Sequence, residues 1–180
     1  MVQFIKLFGE RSAVKILLFF LKNPSEEFSQ KQILKKIIMA KATLIKQLRL
    51  LLEENIVKEK IIGRSKLYSL NTANLIIKQL KILNNILSLK GIVEIGEKHN
   101  TIIYLYGSCA RGEDTEKSDV DILVIGRVKK EDLIKDIKAL SEKIKRNIKI
   151  EVFSPAEWSS MAKKDKAFYE RVEKDKIKLN

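Results

Sequence analysis

The chain has 180 residues, 45% hydrophobic and 33% charged, with a formal net charge of +13. That length allows one large domain or two small ones, each with a modest core, and the composition is that of a globular protein without a disordered tail. The longest uninterrupted apolar run, Ile16 to Leu21, is six residues, which excludes a membrane span, and the opening residues lack the layout of a signal peptide.

In chain order, Val14, Leu17, Leu18 and Leu21 recur at i, i+3, i+4 and i+7. They predict a helix from about Glu10 to Lys22, stopped by Asn23-Pro24. Ser29 followed by Gln32 forms a capping box, with Phe28 and Ile33 placed as a hydrophobic staple. The short helix it opens is expected to end near Ile38. A third helix begins around Lys41, with Leu44, Leu48 and Leu51 on one face and Ala42, Lys46, Arg49 and Glu53 on the other. Two strand-like runs, 56–61 and 66–70, are joined by Ile62-Gly63-Arg64-Ser65. Residues 73–96 form a helical connector whose stripe of Leu75, Ile76, Leu80, Leu83 and Leu87 packs the two halves together or zips two chains into a dimer.

Charge is shared unevenly. Residues 1–98 hold 18 Lys and Arg against 8 Asp and Glu, while residues 99–180 hold 18 against 15. A basic N-terminal half is the arrangement expected of a nucleic-acid partner. The alternative is a Lys-rich composition throughout, of the kind found in some thermophiles.

The only histidine, His99, reads as a loop residue, and its being alone excludes His-rich metal sites. An apolar run, Ile102 to Tyr106, then delivers Gly107 and Ser108. The only cysteine, Cys109, follows as a small filler residue; one cysteine excludes an internal disulfide and points to a reducing cytoplasm. Beyond the ten residues from Cys109 to Ser118 come Asp119 and Asp121, set among Val120, Ile122, Leu123, Val124 and Ile125. In a strand, residues i and i+2 share a side, so both carboxylates emerge together. They repel unless something cationic sits between them, and a pair of divalent metals is the usual solution. Gly107 lets backbone approach a ligand, and Ser108 stands at a helix start, where phosphate binds well.

A helix is expected from Glu131 to Arg146, with Leu133, Ile134, Ile137, Leu140 and Ile144 inward and its charges ordered to suit the helix dipole. A strand, 148–153, carries one acid, Glu151. Ser154-Pro155-Ala156-Glu157 is a capping start for a helix holding Trp158 and Met161. A short helix near Ala167 to Lys174 and a terminal strand from Ile177 to Leu179 complete the chain.

The pattern Gly-Ser-x10-Asp-x-Asp resembles the nucleotidyltransferase superfamily of DNA polymerase beta. Ala110-Arg111-Gly112-Glu113 and Ser118 resemble its minimal nucleotidyltransferases in particular. The resemblance implies two-metal phosphoryl transfer from an NTP, taken as ATP, with Asp119 and Asp121 bridging two Mg²⁺ (or Mn²⁺) ions. Glu151 takes the place of the third carboxylate, where the family more often has Asp, as metal ligand and proton acceptor. Gly107 and Ser108 would hold the terminal phosphates, and Arg111 would neutralise them or the leaving pyrophosphate. Minimal nucleotidyltransferases of this look often act with a helical HEPN protein as a toxin–antitoxin pair, adding AMP to a tyrosine of that partner. A protein hydroxyl is therefore the expected acceptor, the catalytic half having no aromatic groove for single strands.

Three helices followed by a basic hairpin resemble, over about residues 8–72, the winged helix-turn-helix of archaeal and bacterial transcription regulators. That resemblance implies a third helix in the major groove, with Lys41, Lys46, Arg49, Arg64 and Lys66 contacting DNA. The expected fold class is α+β, with a winged helix domain over 1–72 and a helical connector over 73–98. A small mixed-sheet nucleotidyltransferase α/β domain with flanking helices follows over 99–180. The competing function is a DNA-binding transcriptional regulator whose transferase fold senses nucleotide without turnover.

Overall fold

In the computed structural model, which describes residues 11–180, helix α1 covers Ser12–Lys22; Glu10, the expected start, lies outside the described residues. Leu18 and Leu21 are buried as expected, but the deepest positions are Ile16 and Phe20, and Val14 and Leu17 are only half-buried. A run that is apolar all round leaves its periodicity ambiguous. The choice of face is made by Phe28, whose ring lies 4.6 Å from Phe19 and 6.3 Å from Phe20.

Phe28–Ser29 form β1, and Ser29 caps α2 (Gln30–Lys36) with both halves of the capping box in place. Each such cap contributes about 1 kcal/mol to a helix too short to stand alone. In α3 (Lys41–Glu53), Leu44, Leu48 and Leu51 are buried, and α1 packs against this helix. β2 (Val57–Ile62) and β3 (Ser65–Leu70) pair antiparallel through a two-residue loop whose Gly63 has φ +58°. The small antiparallel sheet runs β1-β3-β2.

Helix α4 (Leu75–Ser88) splits the expected stripe, with Leu80, Leu83 and Leu87 half-buried. Leu75 and Ile76 are 69% and 58% exposed, whereas Ile77, Lys81, Asn85 and Leu89 are buried. The buried positions here therefore mix apolar and polar residues, which hydropathy cannot reveal. The connector is also two helices, for α4 ends at Ser88 and α5 (Gly91–Lys98) starts afresh.

The chain divides into a first unit ending at Lys81 and a second covering Ile82–Asn180. In the second unit, β4 (Ile102–Tyr106), α6 (Gly107–Arg111) and β5 (Val120–Ile125) are followed by α7 (Lys130–Ile144) and β6 (Ile148–Phe153). α8 (Pro155–Lys164), α9 (Lys166–Asp175) and β7 (Ile177–Lys178) complete it. The sheet order is β6-β5-β4-β7, with β5 and β6 parallel across the α7 crossover and the other pairs antiparallel.

Alternation along these strands builds two layers. On one face, Ile103, Leu105, Val120, Ile122, Val124, Ile148 and Ile150 meet apolar residues of α5 and α7. Each buried branched side chain there stabilises by about 1.5–3 kcal/mol. Within α7 the inward line is Leu133, Ile137 and Leu140, with Ile144 partly buried. Ile134, expected inward, is 51% exposed because it falls 100° off that line. On the other face, Tyr106 and Leu123 pack with Trp158 of α8 and Val172 of α9. The Trp158 indole donates to Glu173 Oε1 at 3.0 Å, satisfying its one polar atom. That second layer covers only part of its face, and the uncovered part carries the acids.

Candidate active site

Tyr106 at the end of β4 is the register partner of Asp121 near the start of β5, so the chain leaves β4 beside that carboxylate. Gly107 turns it into α6 with φ +73°, and a Cβ there would stand 2.6 Å from Asp121 Oδ2. Only glycine meets both the backbone angle and the close approach. α6 is a single five-residue turn, ended by Gly112 at φ +65°, and the chain then loops back to Asp119.

Asp119 and Asp121 lie two residues apart at the head of β5, both half-buried, and their environments differ. Lys149 places its ammonium 2.5 Å from Asp119 Oδ2, and Asn147 Nδ2 donates to Asp119 Oδ1 at 3.1 Å. These hydrogen bonds, with the lysine charge, hold the Asp119 carboxyl below its ordinary range. Burial pushes the Asp121 carboxyl up, and the neighbouring Asp119 charge adds to this, against Lys149, Arg171 and Arg111. The Tyr106 hydroxyl is pushed up to about 12, first by burial and then by the charges of Asp121 and Glu151.

Lys149 is the register partner of Asp121 on β6, and Glu151 is the partner of Leu123. Glu151 is exposed and shares the sheet face of Asp121, one step further from the head of β5. Among the described residues, no three His, Cys, Asp or Glu side chains are gathered into a ready-made metal cluster. The donor set nonetheless suits a hard divalent ion. It is all oxygen, half-open to solvent and cleared by a glycine, and a resident ammonium already marks where positive charge is favoured. Arg111 turns elsewhere, donating to Glu113 at 2.9 Å and Asp175 at 3.1 Å.

Asn147 and Lys149 are contacts that sequence reasoning does not single out. The helix expected to reach Arg146 stops at Ile144, and Lys145 takes a left-handed turn with φ +57°. That turn brings the segment 146–149 alongside Asp119. The one sequence signal for Lys149 is its place two residues before Glu151 in an alternating strand.

Cys109 is fully buried, and burial raises its thiol to about 11.

In the first unit, Lys41, Lys46 and Arg49 are exposed on α3, and Arg64 is exposed in the β2–β3 loop. Lys66 on β3 pairs with Glu59 at 3.1 Å. A groove of about 730 Å³ is lined by Lys31, Lys35, Lys41, Arg64 and Lys66, with Leu34 among them. Lys46 and Arg49 lie outside that lining.

The chain belongs to the nucleotidyltransferase domain family, whose family model matches residues 87–178. It is also similar to a solved structure from Sulfolobus solfataricus described as a "putative nucleotidyltransferase". Identity there is 24%, over 56% of this chain and 84% of that one, with a TM-score of 0.33. No curated protein matches the chain. Among the described residues, no helix is long and apolar enough to cross a membrane.

Proposed function

We propose that the second unit transfers a nucleoside monophosphate from an NTP, ATP in the first instance, to a hydroxyl of a protein partner. The observation that carries this reading is the acid pair Asp119/Asp121, set against Gly107 with Lys149 as its resident cation. Two divalent ions, Mg²⁺ or Mn²⁺, would be held by Asp119, Asp121 and Glu151, and when bound they supply Lewis-acid charge and a more acidic acceptor hydroxyl. Gly107 and Ser108 offer backbone N–H groups to the terminal phosphates, which the missing Cβ allows to come close. Glu151, exposed on the same face, takes the proton of the acceptor hydroxyl. The acceptor oxygen bonds to the α-phosphorus as the bond from that phosphorus to the bridging oxygen breaks, and pyrophosphate leaves. Arg111, released from Glu113 and Asp175, would offset charge on the leaving group.

The partner favoured is a HEPN-type protein with this chain as its antitoxin, the acceptor being a tyrosine. This rests on the likeness of the Gly107–Asp121 segment to minimal nucleotidyltransferases. The test is co-expression with the genomic neighbour, followed by mass spectrometry. Added nucleotide on the neighbour, absent with the Asp119→Asn/Asp121→Asn double variant, is the expected result. Label on RNA alone would overturn the choice of acceptor. ATP binding with no transfer to any acceptor would favour the nucleotide-sensing regulator instead.

The basic groove supports a second role, DNA binding by a winged helix in the first unit, through Lys41, Lys46, Arg49, Arg64 and Lys66. The groove is lined by Lys31, Lys35, Lys41, Arg64 and Lys66, a set of cations that suits a phosphate backbone, while Lys46 and Arg49 lie outside it on α3. Affinity for duplex should fall steeply with salt, and Arg64→Ala should flatten the log–log slope by about one. Affinity that is independent of salt would refute it.

A further inference from the structure

Arg146 lies just after the left-handed turn at Lys145, and its side chain is 20% exposed. Nε and Nη2 donate to the Ser118 carbonyl at 3.3 and 2.9 Å. Nη1 donates to Asn85 Oδ1 and to Asp114 Oδ2, both at 3.1 Å. Nη2 also donates to Cys109 Sγ at 3.2 Å. Asn85 and Asp114 are themselves buried, at 4% and 6% exposure. Asn85 Nδ2 donates to Asp114 Oδ1 at 3.0 Å and to the Cys109 carbonyl at 3.1 Å. The Cys109 thiol donates to the Asp119 carbonyl at 3.4 Å.

These contacts hold both ends of the loop that separates Gly107-Ser108 from Asp119. One end is Cys109, directly after the glycine turn; the other is Ser118, directly before the first acid. The segment between them contains no strand and no helix beyond α6, so its conformational freedom would otherwise pass to Asp119. A planar fork with five donors is the one side chain able to reach all four acceptors at once. Buried ion pairs stabilise poorly by themselves. A fully satisfied one beneath a catalytic loop is better suited to holding geometry.

We infer that Arg146, seated by Asn85 and Asp114, is a positioning residue that sets where the Asp119 carboxylate lies relative to Gly107 and Asp121. Asn85 precedes the family-matched segment 87–178, so the working site begins within α4. The inference rests on the transferase reading for what the acid pair does.

The test uses the full chain and its single cysteine as a reporter. Arg146→Met and Arg146→Lys are compared with wild type by Mn²⁺ calorimetry, thermal melting and the rate of Cys109 labelling by a thiol reagent. Mn²⁺ affinity should fall about 10- to 100-fold in both variants, as for other residues that orient metal ligands. Labelling should accelerate, and the lysine variant should still melt cooperatively. Its charge alone should not rescue affinity, because the fork is lost. A folded Arg146→Lys protein with wild-type Mn²⁺ affinity overturns the inference. So does affinity loss confined to variants without a cooperative melt, since the network would then hold the fold and not the site. Wild-type protein that binds no Mn²⁺ would defeat the transferase reading, while unchanged Cys109 labelling in the variants would still count separately against Arg146.

Discussion

Two glycines in this chain share a backbone problem and differ in what surrounds them. Gly63 has φ +58° with nothing within 4 Å of where a Cβ would stand, while Gly107 has φ +73° with Asp121 Oδ2 at 2.6 Å. Alanine at either site must adopt a left-handed conformation, at a cost of about 1–2 kcal/mol. For a unit of about 100 residues that lowers the melting midpoint by roughly 4–8 °C per kcal/mol. At Gly107 there is a further consequence. Ordinary contact begins at 3.4 Å, so Asp121 Oδ2 must retreat by about 0.8 Å. The carboxylate sits at the end of a short side chain and yields cheaply in stability. It is, however, the atom proposed to hold the metal, and a shift of about 1 Å at a reacting centre can cost on the order of 10²-fold in rate. The two variants should therefore show similar losses in thermal scans. Only Gly107→Ala should lose Mg²⁺-dependent nucleotide transfer and Mn²⁺ binding. Gly107→Ala that melts like Gly63→Ala and transfers at the wild-type rate would refute the close-approach argument.

Asp121→Asn should raise the melting midpoint at pH 7 while abolishing transfer. The folded chain holds this carboxyl above its ordinary range by burial and by Asp119, against Lys149, Arg171 and Arg111, so the ionised form is disfavoured on folding. The gain should vanish as pH falls through the raised range, where the wild-type carboxyl is protonated as well; a lower midpoint at pH 7 would contradict it. Lys149→Met should tighten Mn²⁺ binding in the absence of nucleotide, because the ammonium competes for Asp119. Weaker binding by calorimetry would show that the lysine supports the ion instead of excluding it.

Sequence by itself determined the features that depend on neighbours along the chain. The capping boxes at Ser29–Gln32 and Ser154–Glu157 are relations of i and i+3. The shared side of Asp119 and Asp121 follows from i and i+2. The glycine turn after an apolar strand follows from the one residue type that tolerates it. Backbone geometry sets all of these, and a reader of the chain has that geometry in hand. Tertiary structure decided which neighbours each acid meets. Lys149 faces Asp121 because β6 pairs in parallel with β5 at one register, and no local pattern specifies that register. Arg146 meets Asn85 across 61 residues. Asn85 on α4 is buried, while Leu75 and Ile76 are exposed, because partners on other elements satisfy a side chain that hydropathy would send to solvent. Packing chooses among faces that periodicity leaves equivalent, and in this chain that choice placed the cations around the acids.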